Sequence, residues 1–112
     1  MYENSQDVAL IIALMLVRSK KTRGRISEKT LKFIGRRERL KGAFLNDVRS
    51  ALEELDVILV PLNRGGFGLI DSAALESAPI LTTRDHVRVE IGALRQSKLN
   101  RSDLWSELGK DF

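Results

Sequence analysis

The chain has no cysteine, and this absence removes several kinds of chemistry at once. Without cysteine there is no disulfide, no thiolate zinc site and no cysteine nucleophile. A chain without disulfides suits the reducing interior of the cell, so we expect a cytoplasmic protein. Its 112 residues are nevertheless enough to bury a hydrophobic core without such cross-links.

Other catalytic groups are also scarce. The one histidine, His86, has no neighbouring residues that would complete a metal site or a proton-transfer pair. The acidic residues are dispersed along the chain, as helix caps and solvated surfaces usually are. Gly65 and Gly66 are not followed by the lysine that a phosphate-binding loop requires. We therefore expect no enzyme activity, no catalytic residue, no metal and no cofactor.

The longest apolar run, Val8–Val17, is about half of the roughly 20 residues that a membrane-spanning helix needs. Acidic residues precede it and basic residues follow it, which is the reverse of a secretory signal. We predict a helix from Ser5 or Asp7 to Arg18. Because it is apolar nearly all round, it is expected to lie at the centre of the domain, and no membrane partner is expected.

Positive charge is concentrated in one block of the chain. Residues 18–49 hold twelve basic and three acidic residues, whereas residues 1–17 have a net charge of −2 and residues 50–80 a net charge of −4. Such a block is either a solvated surface or a nucleic-acid footprint. Its first part, Ser19–Arg25, is predicted to be a basic linker. This linker either lies against phosphates or forms a flexible loop tip.

Two helices are predicted next, joined by a short connection. After a short extended piece at Ile26, Ser27 is suited to cap a helix from Glu28 to about Arg39. Leu31 and Ile34 are expected to face inward, with Phe33 as a further candidate. A second amphipathic helix covers residues 41–55 and buries the side that carries Phe44, Val48, Ala51, Leu52 and Leu55. Its other side carries Gly42, Asn46, Arg49, Ser50 and Glu53, groups that can approach a base edge or a phosphate. The pair forms a helix-turn-helix arrangement.

A β-hairpin is predicted after these helices. The β-branched run that follows Asp56 favours a strand, and Pro61 restricts that strand to an edge. Residues 63–66, rich in Asn and Gly, then form a turn before a second strand at residues 67–70. Asp71 is suited to cap one short helix that ends before Pro79.

The C-terminal part of the chain is harder to assign. Residues 86–91 alternate as a strand would, but Thr82 and Asp85 resemble a capping box, and we favour a helix over residues 83–97. A last helix is predicted over residues 101–108, capped by Asn100 or Ser102. Its Trp105 either packs back on the domain or contacts another chain. The expected division is residues 1–78 and residues 79–112.

Over about residues 7–72 the sequence resembles the winged helix-turn-helix superfamily. The matching segments are VALIIALMLV, RIS, VRSALEEL and DVILVPLNRGGFGLID. The resemblance implies a mainly α fold with a small β-hairpin, in which a three-helix core and a wing are followed by a C-terminal helical extension. It also implies that Asn46, Arg49 and Ser50 face the major groove and that Arg64 lies at the wing tip. Glu53 and Glu54 depart from this pattern, because acidic groups there repel phosphate.

From these patterns we expect a small, non-enzymatic transcription regulator that binds double-stranded DNA with sequence preference. The residues expected to contact DNA are Lys21, Arg23, Arg25, Lys29, Arg36, Arg37, Arg39, Lys41, Asn46, Arg49, Ser50 and Arg64. The alternative is a protein-interaction module, or a subunit of a larger nucleic-acid-processing or defence complex, whose basic face meets an acidic protein or RNA. A homodimer is expected to form through Val87, Ile91, Leu94, Leu104, Trp105 and Leu108.

Overall fold

The computed structural model describes residues 1–110. Within them the fold is mixed α/β, with seven helices and a small three-stranded antiparallel sheet. The chain divides into two compact units, of which the first is Met1–Ala78 and the second begins at Pro79. The elements are α1 (Ser5–Ser19), β1 (Arg23–Ile26), α2 (Glu28–Gly35), α3 (Gly42–Glu54), β2 (Val57–Pro61), β3 (Phe67–Asp71), α4 (Ser72–Glu76), α5 (Thr83–His86), α6 (Arg88–Arg95) and α7 (Arg101–Glu107).

Local sequence signals set most helix starts. The side chain of Ser27 accepts a hydrogen bond from the backbone N–H of Thr30 at 3.0 Å, and Asp71 caps α4 in the same way through Ala73. These two caps confirm the prediction. Helix α2 ends at Gly35 and not near Arg39, because Arg36 adopts a left-handed conformation with φ 55° that closes the last turn.

The sheet contains a strand that the sequence did not reveal. The strand order is β1-β3-β2, and β1 pairs with β3 so that Arg23 lies opposite Ile70 and Ile26 lies opposite Phe67. Part of the expected linker is therefore an extended, paired strand, and the expected hairpin supplies two of the three strands of the sheet. The β2–β3 hairpin itself is confirmed, with Pro61 on an edge strand.

The core of the first unit lies where α1, α2 and α3 meet the inner face of the sheet. Its buried members are Val8, Ala9, Ile12, Leu16, Ile26, Leu31, Phe44, Val48, Leu52, Val57, Leu59, Phe67 and Leu69. On α3 the buried positions follow a helical repeat of four, and on β2 and β3 they alternate. Burial of one stripe on each element produces a single continuous core.

Helix α1 does not lie at the centre of the domain, so that prediction was wrong. One side of the helix packs against α2 and α3, while large apolar side chains on its other side are exposed. The first unit places neighbouring elements on only one side of α1.

No helix within residues 1–110 is long and apolar enough to cross a membrane.

The second unit begins with two helices where one was predicted. Thr82 caps α5 as expected, but Val87, with φ −138° and ψ 33°, interrupts the helix before α6 begins. The strand alternative for residues 86–91 is therefore wrong. The side chain of Asn100 accepts a hydrogen bond from the backbone N–H of Asp103 and so caps α7. Among residues 79–110 every side chain is exposed or only partly buried.

Candidate nucleic-acid interface

The outer side of α2 is basic and carries one aromatic ring. Lys29, Phe33 and Arg36 are exposed, and they recur at helical spacing with the partly buried Lys32 beside them. Phe33 is 83% exposed, so its predicted inward direction was wrong. The reason is geometric, because residue 33 lies about 200° around the helix from the buried Leu31. A bulky apolar group thus sits among cations.

Arg37 holds the N-terminal segment against the first unit. Its guanidinium lies 3.7 Å from the ring centroid of Phe44 and 4.6 Å from that of Tyr2, and its Nη2 donates to the backbone oxygen of Glu3 at 3.1 Å. Its Nε is buried and has no hydrogen-bond partner among the described residues. Arg37 therefore has a structural role, and its contact with DNA stays a prediction.

Replacement of Arg37 by alanine is expected to lower the free energy of unfolding by about 2 kcal/mol, through loss of ring stacking, stem packing and one hydrogen bond. Lysine should not restore the stability, because an ammonium cannot stack as a planar guanidinium does. Urea denaturation measures the change. Arg36→Ala is the matched control and should stay within about 0.5 kcal/mol, since Arg36 is exposed. Equal losses for the two variants would contradict the role assigned to Arg37.

The outer face of the sheet carries two further arginines. In the pairing register Arg23 is opposite Ile70 and Arg25 is opposite Gly68, whereas the alternate positions of β1 lie on the core side. Arg64 is exposed in the turn between β2 and β3. That turn is close to the start of α2, because a Cβ added at Gly66 would lie 2.7 Å from the backbone oxygen of Ile26. The turn with Arg64 and the first turn of α2 are thus neighbours.

Helix α3 divides into a neutral beginning and an acidic end. Lys41 occupies the N-cap position, and no side chain of residues 1–110 caps this helix. Asn46 and Ser50 are exposed on its outer side, as predicted, whereas Arg49 is partly buried with its Nε enclosed. Glu53 and Glu54 are exposed at the end of the helix, and Asp47 is exposed on its flank.

The remaining predicted DNA contacts are all on the surface of the first unit. Lys21 precedes β1, while Arg39 and Lys41 lie in the connection between α2 and α3. Cations from α2, from this connection, from β1 and from the hairpin turn therefore belong to one unit.

Comparisons of the chain with protein-family models, with curated proteins and with solved structures gave no match.

The residues predicted to mediate dimerisation lie in the second unit. Val87, Leu94, Trp105 and Leu108 are exposed, and Ile91 and Leu104 are partly buried.

His86, at the end of α5, is exposed. In the described part of the chain no group of three or more His, Asp or Glu side chains is arranged to hold a metal ion.

Sequence reasoning missed two features of this surface. The first is the exposed ring of Phe33, which counting at helical spacing from Leu31 would have placed outside. The second is the structural role of Arg37, for which the sequence offers no signal, because Tyr2, Glu3 and Phe44 are brought to it only by the tertiary fold.

Proposed function

We propose that the first unit is a winged helix-turn-helix domain that binds double-stranded DNA without catalysing a reaction. The element order α1, β1, α2, α3, β2, β3 supports this fold, with α2 and α3 as the helix-turn-helix and the β2–β3 turn as the wing. In this proposal the domain belongs to a small transcription regulator. This function requires a surface that binds phosphates and a side chain that reads bases.

The observation that carries the proposal is the exposed basic surface that leads into the start of α3. Lys29 on α2 is exposed, and so are Arg36 directly after α2 and then Arg39 and Lys41. They lead to a helix start that no described side chain caps. Free N–H groups in a first helical turn bind phosphate oxygens well, and the helix dipole adds to the attraction. This arrangement supports docking of α3 by its first turns, where its acidic residues are fewest.

Arg49→Ala is expected to relax sequence preference, because a bidentate arginine–guanine pair contributes about 1 to 3 kcal/mol of discrimination. Arg36→Ala should instead weaken binding to all sequences alike, since a phosphate contact carries no base information. Selection of bound duplexes from a random pool, followed by anisotropy titrations of the best and the average sequence, measures both. If Arg49→Ala keeps the full ratio between the two sequences, Arg49 does not read a base.

A second function is favoured by the acidic end of α3. Glu53 and Glu54 are exposed at the C-terminal end of the helix that would enter the groove, and they repel phosphate. A winged helix that acts as an adaptor, or as a subunit of a larger complex, would present its basic surface to an acidic protein or to RNA. Recovery of one stoichiometric protein partner, with DNA bound no better than by any cationic protein, would support this function over the first.

A further inference from the structure

The exposed side of α1 is apolar over about two helical turns. At about 100° per residue, the side opposite the core carries five neighbouring large side chains. They expose 39% to 72% of their surface and are Leu10, Ile11, Leu14, Met15 and Val17. Together they present on the order of 400 Å² of apolar surface, a patch size that is often functional. Water is a poor solvent for such a face, so a covering partner is expected.

The two charged residues of α1 lie at opposite ends of this same side. Asp7 is in the first turn and Arg18 is in the last, and every residue between them is uncharged. With Ile11 and Leu14 they are spaced by four, three and four residues, which is the repeat of a helix that packs along another helix. The two charges are about 16 Å apart along the axis, given the rise of an α-helix.

The positions of these two charges indicate which partner packs against the exposed side of α1. If two α1 helices pack antiparallel about a two-fold axis between Ile12 and Ala13, Ile11 faces the partner's Leu14, and Leu10 and Met15 lie along the two borders of this contact. Asp7 then faces the partner's Arg18, twice in each dimer. A parallel pair would place like charges opposite each other, which costs affinity. A second copy of the same face supplies both the apolar surface and the matching charges.

We propose that two copies of this chain associate through the exposed sides of their α1 helices, antiparallel, with Asp7 of each copy paired with the partner's Arg18. The contact is isologous, as in most homodimers. Two such faces together bury about 800 Å² of apolar surface, which makes the contact a small interface. The inference stands on α1 alone and does not depend on DNA binding. It also differs from the sequence-based expectation, which placed the dimer contact in the second unit.

Sedimentation of the full chain tests the proposal, at concentrations from about 1 to 100 µM because an interface of this size gives moderate affinity. The wild-type chain should reach about 25 kDa, twice the 12.6 kDa of one chain. Leu14→Glu should raise the dimer dissociation constant more than 100-fold, and it should fold normally because Leu14 is exposed. Val89→Glu, the same kind of change on the exposed surface of α6, is the matched control and should have no effect.

Charge reversal tests the orientation. Asp7→Arg alone and Arg18→Asp alone should each raise the dissociation constant about tenfold or more, since each creates two like-charge contacts in one dimer. The double variant should return to within about threefold of wild type, because the opposite charges face each other again. This rescue also controls for damage to the first turn, where Asn4 Nδ2 donates to the Asp7 carboxylate at 3.0 Å, since both Asp7 variants share that damage.

Several outcomes would overturn the proposal. A wild-type chain that stays at one chain mass throughout the range excludes the dimer. Single reversals without effect, or a double variant that is not rescued, exclude the antiparallel pairing. Loss of the dimer in Trp105→Ala while Leu14→Glu keeps it would assign the contact to the second unit instead.

Discussion

Raising the salt concentration from about 50 to 200 mM is expected to weaken binding to duplex DNA by roughly 10³-fold or more, for a protein that neutralises six or more phosphates. The reason is release of condensed counterions, which contributes less as the bulk salt concentration rises. The proposed interface has enough cations for this effect. Its exposed basic residues are Lys21, Arg23, Arg25, Lys29, Arg36, Arg39, Lys41 and Arg64. Anisotropy titrations of a labelled duplex of mixed sequence at four or more salt concentrations measure the slope.

A pair of variants with equal loss of charge localises the effect. Lys29→Ala with Arg36→Ala should reduce the slope of log K against log salt by about 2, since each lost phosphate contact contributes about 0.9. Arg88→Ala with Arg95→Ala removes the same charge from exposed positions of α6 and should leave the slope nearly unchanged. If the wild-type chain shows no binding at low salt, the DNA-binding proposal fails. If the two variants change the slope equally, the interface does not lie on α2.

Gly66→Ala is expected to lower the free energy of unfolding of the first unit by about 3 kcal/mol. Gly66 has φ +76°, a left-handed conformation that costs an L-residue roughly 1 to 2 kcal/mol. An added Cβ would also lie 2.7 Å from the backbone oxygen of Ile26 and 3.5 Å from the Cα of Ser27. Neither of these backbone atoms can rotate away as a side chain can, so β1 or the turn must shift, at a further cost of about 1 to 3 kcal/mol.

Gly65→Ala separates the two causes. Gly65 also has a positive φ, of +96°, but apart from Gly65 and its two chain neighbours no described heavy atom lies within 4 Å of a Cβ added there. Gly65→Ala should therefore lower the free energy of unfolding only by the conformational cost of the positive φ, about 1 to 2 kcal/mol. Urea denaturation followed by circular dichroism compares the two variants. Equal losses would mean that the close approach of the turn to Ile26 does not constrain the fold.

Local patterns predicted those features that depend on neighbouring residues in the chain. The caps at Ser27 and Asp71 are fixed by a side chain and an N–H two or three residues apart, so composition alone reveals them. The β2–β3 hairpin was predictable for the same reason, since its turn residues accept the positive φ that the turn requires. The outer side of α3 followed from helical periodicity, which placed Asn46 and Ser50 in solvent.

Three features were decided only by the tertiary structure. Strand β1 forms because β3, far along the chain, supplies its hydrogen-bond partners, and the segment Arg-Gly-Arg has no strand pattern of its own. Arg37 became structural because the fold brings the rings of Tyr2 and Phe44 to its guanidinium. Helix α1 is apolar nearly all round, so periodicity could not tell which of its sides is buried. The first unit buries only the side that meets α2 and α3, because a small unit has no further element to cover the other, and Leu10, Leu14 and Val17 stay exposed.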